Sequence, residues 1–319
     1  MQTTLRIRRY NPEKPQPTTY FESYDLELDP SDSVLDGLIK IRETLDDSLA
    51  LRCSCRGAIC GSCGMRINGH ATLACKIKVV SAAPAGETIE VEPMNNMPVI
   101  KDLVSDMATF WEKIRQIQPW LQPSDPPPVA EYTAPPETMS HLAGVMSCIM
   151  CGVCVSDCTV LDVDKRFVGP AALAKAYRFV ADPRDTTASA RLESLNQTSG
   201  MWDCTRCMEC IQVCPKGVGP MDRIMALRSK GMAEKMPATC GSRHAEAFTD
   251  IIKHKGNLDE PMLAIRTFGL KHVGRLLGMV PMVIQSILKG KVPLSGPLHR
   301  PISSIQHIQR LFKRVRTKS

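Results

Sequence analysis

Thirteen of the fourteen cysteines in this 319-residue chain crowd into three short windows, and their spacing constrains what the chain can fold around. The first window holds Cys55, Cys60, Cys63 and Cys75 as C-x4-C-x2-C-x11-C, with Cys53 beside it but off the spacing. The second holds Cys148, Cys151, Cys154 and Cys158, and the third Cys204, Cys207, Cys210 and Cys214. Both read C-x2-C-x2-C-x3-C, and Pro215 follows the third. The first spacing is that of a plant-type 2Fe–2S site, and the repeated one that of a two-cluster ferredoxin. In such pairs the fourth cysteine of each run ligates the other run's cluster. The expected sets are therefore Cys148, Cys151, Cys154 and Cys214 for one cluster, and Cys158, Cys204, Cys207 and Cys210 for the other. Several one-electron centres in one chain imply a relay.

Two other uses of cysteine fit less well. A disulfide framework suits a short secreted chain, and Met1 to Pro17 has no apolar signal region and is interrupted by Pro12, Pro15 and Pro17. Zinc accepts C-x2-C pairs, but seldom two runs of four thiolates at this spacing. The glycines of the first loop, Gly57, Gly61 and Gly64, suit a cluster held under backbone, where close approach and positive φ are needed and amide donors must face sulfur. Arg56 either adds a nearby positive charge or points to solvent. Cys53 reads as a non-ligand, because the set is complete without it. Cys240 reads as a small buried hydrophobe.

A chain of this length makes two or three domains. The fold expected is α+β: an N-terminal β-grasp plant-type 2Fe–2S ferredoxin domain (1–106), a helix with a Pro-rich linker (107–136), an α-helical two-cluster ferredoxin domain (137–235), and a basic amphipathic helical extension (236–319). Strands are predicted at Thr4–Arg9, Thr19–Leu28, Met65–Ile67, Thr72–Ala74 and Thr88–Glu92, with Asn68-Gly69 as a hairpin turn. A helix is predicted from Ser33 to Leu45, with Ser33 as N-cap. Another is predicted from Leu103 to Ile117, and others at Gly169–Ala181, with Pro170 at its start, and Gly219–Lys230. Seven prolines between Pro119 and Pro136 rule out regular structure there. Only 15 residues are aromatic (3 Trp, 5 Tyr, 7 Phe), so clusters would act as staples for small cores.

The net charge of +7 conceals an asymmetry. From Pro261 to Ser319 there are eleven Lys or Arg and no Asp or Glu, which leaves −4 on the first 260 residues (29 basic against 33 acidic). A basic tail suits an acidic partner or an anionic membrane surface. No groove-reading motif accompanies it, so nucleic acid is not an expected partner. Leu276, Val280, Val283, Ile284, Ile287 and Leu288 form one apolar stripe, and Ile305, Ile308, Leu311, Phe312 and Val315 another. The apolar run Leu276–Leu288 is too short to span a bilayer. The stripes either pack on protein or lie in a membrane interface. No Rossmann fingerprint, P-loop or nucleophile elbow occurs. The seven histidines, His70, His141, His244, His254, His272, His299 and His307, are scattered. No residue is therefore expected to be catalytic; bond-making chemistry belongs elsewhere.

Over residues 5–230 the chain resembles the iron–sulfur subunits of succinate dehydrogenase and fumarate reductase. The likeness rests on RRYNPE (Arg8 to Glu13), SCRGAICGSCGMRINGHATLAC (Ser54 to Cys75), MPVIKDLVSDM (Met97 to Met107), GPAALAKAYRFVADPRD (Gly169 to Asp185) and CPKGVGP (Cys214 to Pro220). The resemblance implies an FAD-containing flavoprotein partner that handles succinate, electron transfer through 2Fe–2S, 4Fe–4S and a third cluster, and delivery to quinone at membrane anchor subunits. It implies a peripheral place on the cytoplasmic face of the cell membrane and a role in the tricarboxylic acid cycle. Common members lack a cysteine at the position of Cys207 and carry 3Fe–4S as the third cluster; here Cys207 completes four thiolates, so 4Fe–4S is expected, the alternative being 3Fe–4S with Cys207 free beside it. Common members also have a proline and tryptophan after the fourth cysteine of the first run, where this chain has Thr159, Val160, Leu161 and Asp162, and a histidine where it has Thr205. Those residues help form the quinone pocket in the family. The combination is similar to the non-classical branch, whose anchors resemble heterodisulfide reductase components. The alternatives are the corresponding subunit of a soluble, thiol-linked fumarate reductase or heterodisulfide-reductase-like complex, and a free ferredoxin-type carrier.

Overall fold

The computed structural model describes residues 1–16, 18–269, 273–290 and 301–316. The chain divides into two units, Met1–Glu234 and Lys235–Ser319.

The first unit opens with strands β1 (Gln2–Tyr10) and β2 (Thr19–Glu27), helix α1 (Val34–Thr44), and strands β3 (Gly64–Ile67) and β4 (His70–Leu73). A short helix α2 (Val79–Ala82) and strand β5 (Ile89–Glu92) follow. The five strands form one sheet in the order β2-β1-β5-β3-β4. β1 runs parallel to β5, with Leu5 opposite Ile89, and antiparallel to β2. Alternation along β1 sends Thr3, Leu5, Ile7 and Arg9 inward. α1 starts on a capping box: the Asp36 N–H donates to Ser33 Oγ (3.3 Å) and the Ser33 N–H to Asp36 Oδ2 (3.0 Å). Its Leu35, Leu38, Ile39 and Ile41 pack on Leu5, Ile7, Ile89 and Val91 of the sheet. Between β3 and β4, Asn68 (φ 49°) and Gly69 (φ 82°) are both left-handed, as a tight two-residue hairpin turn requires.

One expected element is different. The helix predicted from Leu103 begins only at Ala108: residues before it form β6 (Val99–Lys101) and β7 (Val104–Ser105), and α3 is Ala108–Gln116. The Asp102 carboxylate (2% exposed) is the reason. It accepts from Arg9 Nε at 3.0 Å and from the backbone N–H of Tyr10 (3.0 Å) and Ala50 (2.9 Å), and this holds a left-handed turn at Asp102 (φ 46°). Arg9 also donates to Glu22 and Asp46 and so ties β1, β2 and the segment after α1 together. Burial opposes its charge, and the facing carboxylates more than restore it, raising its pKa.

The rest of the first unit is helical: α4 (Pro136–Met146), α5 (Val153–Ser156), α6 (Thr159–Val163), α7 (Pro170–Val180), α8 (Ala188–Leu195), a 3-10 turn (Met201–Asp203), α9 (Glu209–Gln212) and α10 (Pro220–Ala233). α7 is buried along most of its length and packs on α3, α4, α5, α8 and α10. Buried Arg191 anchors the start of the Pro-rich segment. It donates to the carbonyls of Ile117 (3.0 Å), Gln118 (2.8 Å) and Trp120 (2.8 Å) and pairs with Asp185 at 3.0 Å. Arg66 on β3 reaches Asp157, and the Ala71 N–H donates to Asp157 Oδ2 at 2.8 Å, which fastens the sheet to the first cysteine run.

The second unit contains α11 (Cys240–Lys255), α12 (Glu260–Phe268), α13 (Val273–Leu288) and α14 (Ile305–Arg316). α11 and α12 enclose a small core of Ala247, Ile251 and Leu263. Both lie in the extension expected to be helical, although the sequence marks the bounds of neither. On α13, Leu277, Val280, Met282, Val283, Ile284 and Leu288 are exposed. Among the described residues no helix is long and apolar enough to cross a membrane.

Candidate metal centres

The first cysteine loop, residues 53–63, has no regular secondary structure and runs from behind α1 to β3. Its turns come from left-handed residues at Arg56 (φ 53°), Ala58 (φ 55°) and Gly61 (φ 74°). Of the three glycines expected to supply positive φ, only Gly61 does so; Arg56 and Ala58 take the other two positions despite their Cβ atoms. These turns aim backbone N–H groups at sulfur. Gly57, Ile59 and Cys60 donate to Cys55 Sγ at 3.3, 3.4 and 3.2 Å, Ala58 to Cys75 Sγ at 3.3 Å, and Cys55 to Cys60 Sγ at 3.5 Å. Such donors stabilise negative charge on a thiolate. The Ser62 side chain, then the N–H groups of Cys55 and Ser62, pull the Cys60 thiol down to about 6. Cys63 is buried, and burial pushes its thiol up to about 12. Cys53 packs against the apolar core of the sheet domain.

The two repeated runs fold into matching loops. In the first, the residues flanking Cys151 are left-handed, Met150 at φ 57° and Gly152 at φ 79°. In the second, the residues flanking Cys207 are left-handed too, Arg206 at φ 61° and Met208 at φ 71°. Each loop then enters a single turn of helix, α5 or α9. The loops come together across the unit. One apolar hollow is lined by Cys148, Cys151, Cys154 and Cys214 with Ile149, Ala174 and Val218. A second is lined by Cys158, Cys204, Cys207 and Cys210 with Phe167, Met221 and Ile224. The Val218 N–H donates to Cys214 Sγ at 3.4 Å. Val160 and Thr205, at positions where the resemblance puts quinone-pocket residues, line the second hollow.

The donor chemistry of these hollows suits iron–sulfur clusters: four thiols each, apolar walls, and little competing oxygen or nitrogen. Burial pushes Cys151 up to about 11 and Cys210 to about 12, and holds Cys154 and Cys158 above the usual thiol range. Buried thiols stay protonated unless positive charge enters with them, so metal loading would be coupled to loss of these protons. When bound, the clusters would supply one-electron redox chemistry. The chain supplies ligands, amide donors and a dry surround.

Several residues near the sulfurs escaped sequence reasoning. Buried Arg228 donates to the carbonyls of Met201, Trp202 and Cys204, each at 2.8 Å, and braces the loop that carries Cys204. Lys113 of α3 donates to the carbonyls of Lys165 (2.7 Å) and Phe167 (2.5 Å), and Phe167 walls the second hollow. Asn96 donates to the carbonyls of Val155, Ser156 and Cys158 at 3.0, 3.1 and 3.2 Å. All three act across long sequence separations, and a single sequence carries no signal of such pairs. Cys240, at the start of α11 in the second unit, donates its thiol to the Thr267 carbonyl at 3.7 Å. Among the histidines whose structure is described, His244 meets Thr267 Oγ1 at 3.2 Å and His254 meets the Asp250 carbonyl at 2.9 Å, both within the second unit. His272 and His299 lie outside the described residues.

A family profile described as a 2Fe-2S iron-sulfur cluster binding domain matches residues 4–112, and one described as a 4Fe-4S dicluster domain matches residues 144–218. The chain is 41% identical over 222 residues to the fumarate reductase iron-sulfur subunit of Mycobacterium tuberculosis (strain CDC 1551 / Oshkosh), covering 69% of this chain and 89% of that protein. The chain belongs to the succinate dehydrogenase and fumarate reductase iron–sulfur subunit family. As a member it is an electron-transfer subunit with 2Fe–2S and 4Fe–4S binding domains. A solved chain of the Mycobacterium smegmatis Sdh1 complex in the apo form superposes with a TM-score of 0.68 at 26% identity, covering 74% of this chain and 98% of that one. A hypothetical protein from Helicobacter pylori superposes with a TM-score of 0.44 at 14% identity, covering 78% of this chain and 43% of that one.

Proposed function

We propose that this chain carries single electrons between an FAD-containing flavoprotein subunit and quinone at a membrane anchor, as the iron–sulfur subunit of succinate dehydrogenase (succinate:quinone oxidoreductase). Cys55, Cys60, Cys63 and Cys75 hold 2Fe–2S. Cys148, Cys151, Cys154 and Cys214 hold 4Fe–4S. Cys158, Cys204, Cys207 and Cys210 hold a third cluster, itself 4Fe–4S. The observation that carries this reading is the pair of matching left-handed loops whose eight thiols line two separate hollows. The residues flanking Cys207 adopt the conformation of those flanking Cys151, which supports Cys207 as a ligand.

The chain's own residues bind, insulate and brace. The amide donors on Cys55 and Cys75 offset thiolate charge. The apolar walls exclude water from the two hollows. The complex lies on the cytoplasmic face of the membrane, and the exposed apolar side chains of α13 and the basic tail support that placement.

Purification of the native complex tests the reading. A flavoprotein and a hydrophobic anchor should travel with the chain. A flavoprotein alone would favour a soluble fumarate reductase, and neither would favour a free carrier. The reconstituted single chain should show no succinate oxidation with an artificial acceptor and should gain it when the flavoprotein is added; turnover by the chain alone refutes the division of labour.

A further inference from the structure

The loops that carry the first and second cysteine sets touch backbone to backbone. Gly61 lies between Cys60 and Cys63. A Cβ placed on it would fall 2.8 Å from Cys151 Cβ and 3.0 Å from Cys151 Cα. Non-bonded carbons settle about 3.5–4.0 Å apart, so no side chain fits unless the loops separate. A Cβ at Gly64 would meet the Cys151 carbonyl oxygen at 3.3 Å, and one at Gly152 would meet Met97 Cε at 2.9 Å. The seam is therefore tight at several adjacent points.

It is also braced. Val153, two residues after Cys151, is 0% exposed within the core of the sheet domain. Asp157 takes Arg66 and the Ala71 N–H, the Asn95 N–H donates to Ser156 Oγ at 3.0 Å, and Asn96 holds three carbonyls of the opposing segment. None of these groups is a thiol. Together they fix the gap between the loops without contributing a ligand.

We infer that Gly61 is a positioning residue and that its contact with Cys151 is where electrons cross between the first and second centres. The inference rests on the ligand sets proposed above. From the Cys60 and Cys63 sulfurs the route to Gly61 is covalent, as is the route from Cys151 Cα to its sulfur, so one van der Waals gap separates the two sets. One electron leaves the reduced first centre and enters the oxidised second; no bond is made or broken. Coupling across a gap weakens steeply with its width, so the absence of one methyl group at position 61 governs the transfer.

The test uses the full chain, reconstituted anaerobically with iron and sulfide. In Gly61→Ala, the relaxation enhancement of the first centre's EPR signal by the reduced second centre should weaken. Electron transfer after flash reduction should slow several-fold, with both midpoint potentials unmoved. Gly69→Ala is the control. Gly69 is left-handed too (φ 82°), but a Cβ there meets nothing within 4 Å, so this variant should keep the wild-type relaxation and rate. Wild-type relaxation and rate in Gly61→Ala overturn the inference. If Gly61→Ala does not assemble its first centre, Asn96→Ala decides, because it loosens the seam without touching either loop's sulfurs. Weakened interaction then supports the inference, and unchanged interaction overturns it. Failure of the underlying assignment looks different: Cys151→Ser would leave the second centre's signal intact, whatever Gly61→Ala does.

Discussion

Replacing Cys207 by serine should convert the third centre from four irons to three. Cys207 is the exposed corner of its set, whereas Cys158 and Cys210 are each 7% exposed. Its Sγ lies 3.5 Å from Thr159 Oγ1 at the rim of the hollow. Its neighbours Arg206 and Met208 both carry positive φ without being glycine, a conformation that costs about 1–3 kcal/mol per residue and persists only where the surroundings impose it. A loop under that strain reproduces the geometry around Cys151, where one thiolate per iron is required. A cubane needs a ligand at each corner, so losing Cys207 leaves one iron unheld while Cys158, Cys204 and Cys210 keep the other three. The iron content should fall from about ten to about nine per chain, by cluster stoichiometry. The oxidised sample should change from EPR-silent at this centre to about one paramagnetic three-iron centre per chain. Cys53→Ser and Cys240→Ser should change neither, because Cys53 packs on the sheet core and Cys240 donates to a carbonyl in the second unit. A stoichiometric three-iron signal in the oxidised, anaerobically prepared wild type would refute the reasoning. So would Cys207→Ser with unchanged iron and no new signal.

Arg9→Met leaves Asp102 buried without its cation and should destabilise the first unit by about 3–5 kcal/mol, read as a lower denaturant midpoint; a loss below about 1 kcal/mol would mean that the ion pair is dispensable. Arg184, then Arg178, hold the Asp182 carboxyl below its usual range. Its folded pKa is depressed, so the stabilisation is fully present above about pH 4 and is lost as pH falls below that. Asp182→Asn should be less stable at neutral pH and should show a shallower loss of stability on acidification, monitored by thermal melting from pH 3 to 7. Ending the chain after Gly269 keeps α11 and α12 but removes α13, α14 and ten of the eleven tail cations. Membrane retention of the complex should then fall and lose its dependence on salt, and unchanged fractionation at low and high salt would assign the tail a purely structural role.

The features legible in the sequence are those closed by near neighbours. Cysteine spacing is legible because the ligands of one loop are only a few residues apart and the loop must wrap a compact group. The Asn68-Gly69 turn, the Ser33 cap of α1 and Pro170 at the start of α7 are local in the same way, each decided by the conformational preference of one or two residues. Tertiary packing decided what depends on distant partners. The start of α3 moved to Ala108 because buried Arg9 and two backbone N–H groups claim the Asp102 carboxylate, and that network outweighs helix propensity between Leu103 and Met107. In the first loop, left-handed turns fell on Arg56 and Ala58, where Gly57 and Gly64 were expected to supply them, because the N–H groups there turn toward sulfur whatever the side chain. The sequence determined that this protein has cysteine loops suited to three clusters. How closely two of those loops approach, through Gly61 and Cys151 and under the clamp of Arg66, Asn96 and Asp157, was decided by the fold alone, because van der Waals contact between distant segments leaves no periodicity or spacing in the chain.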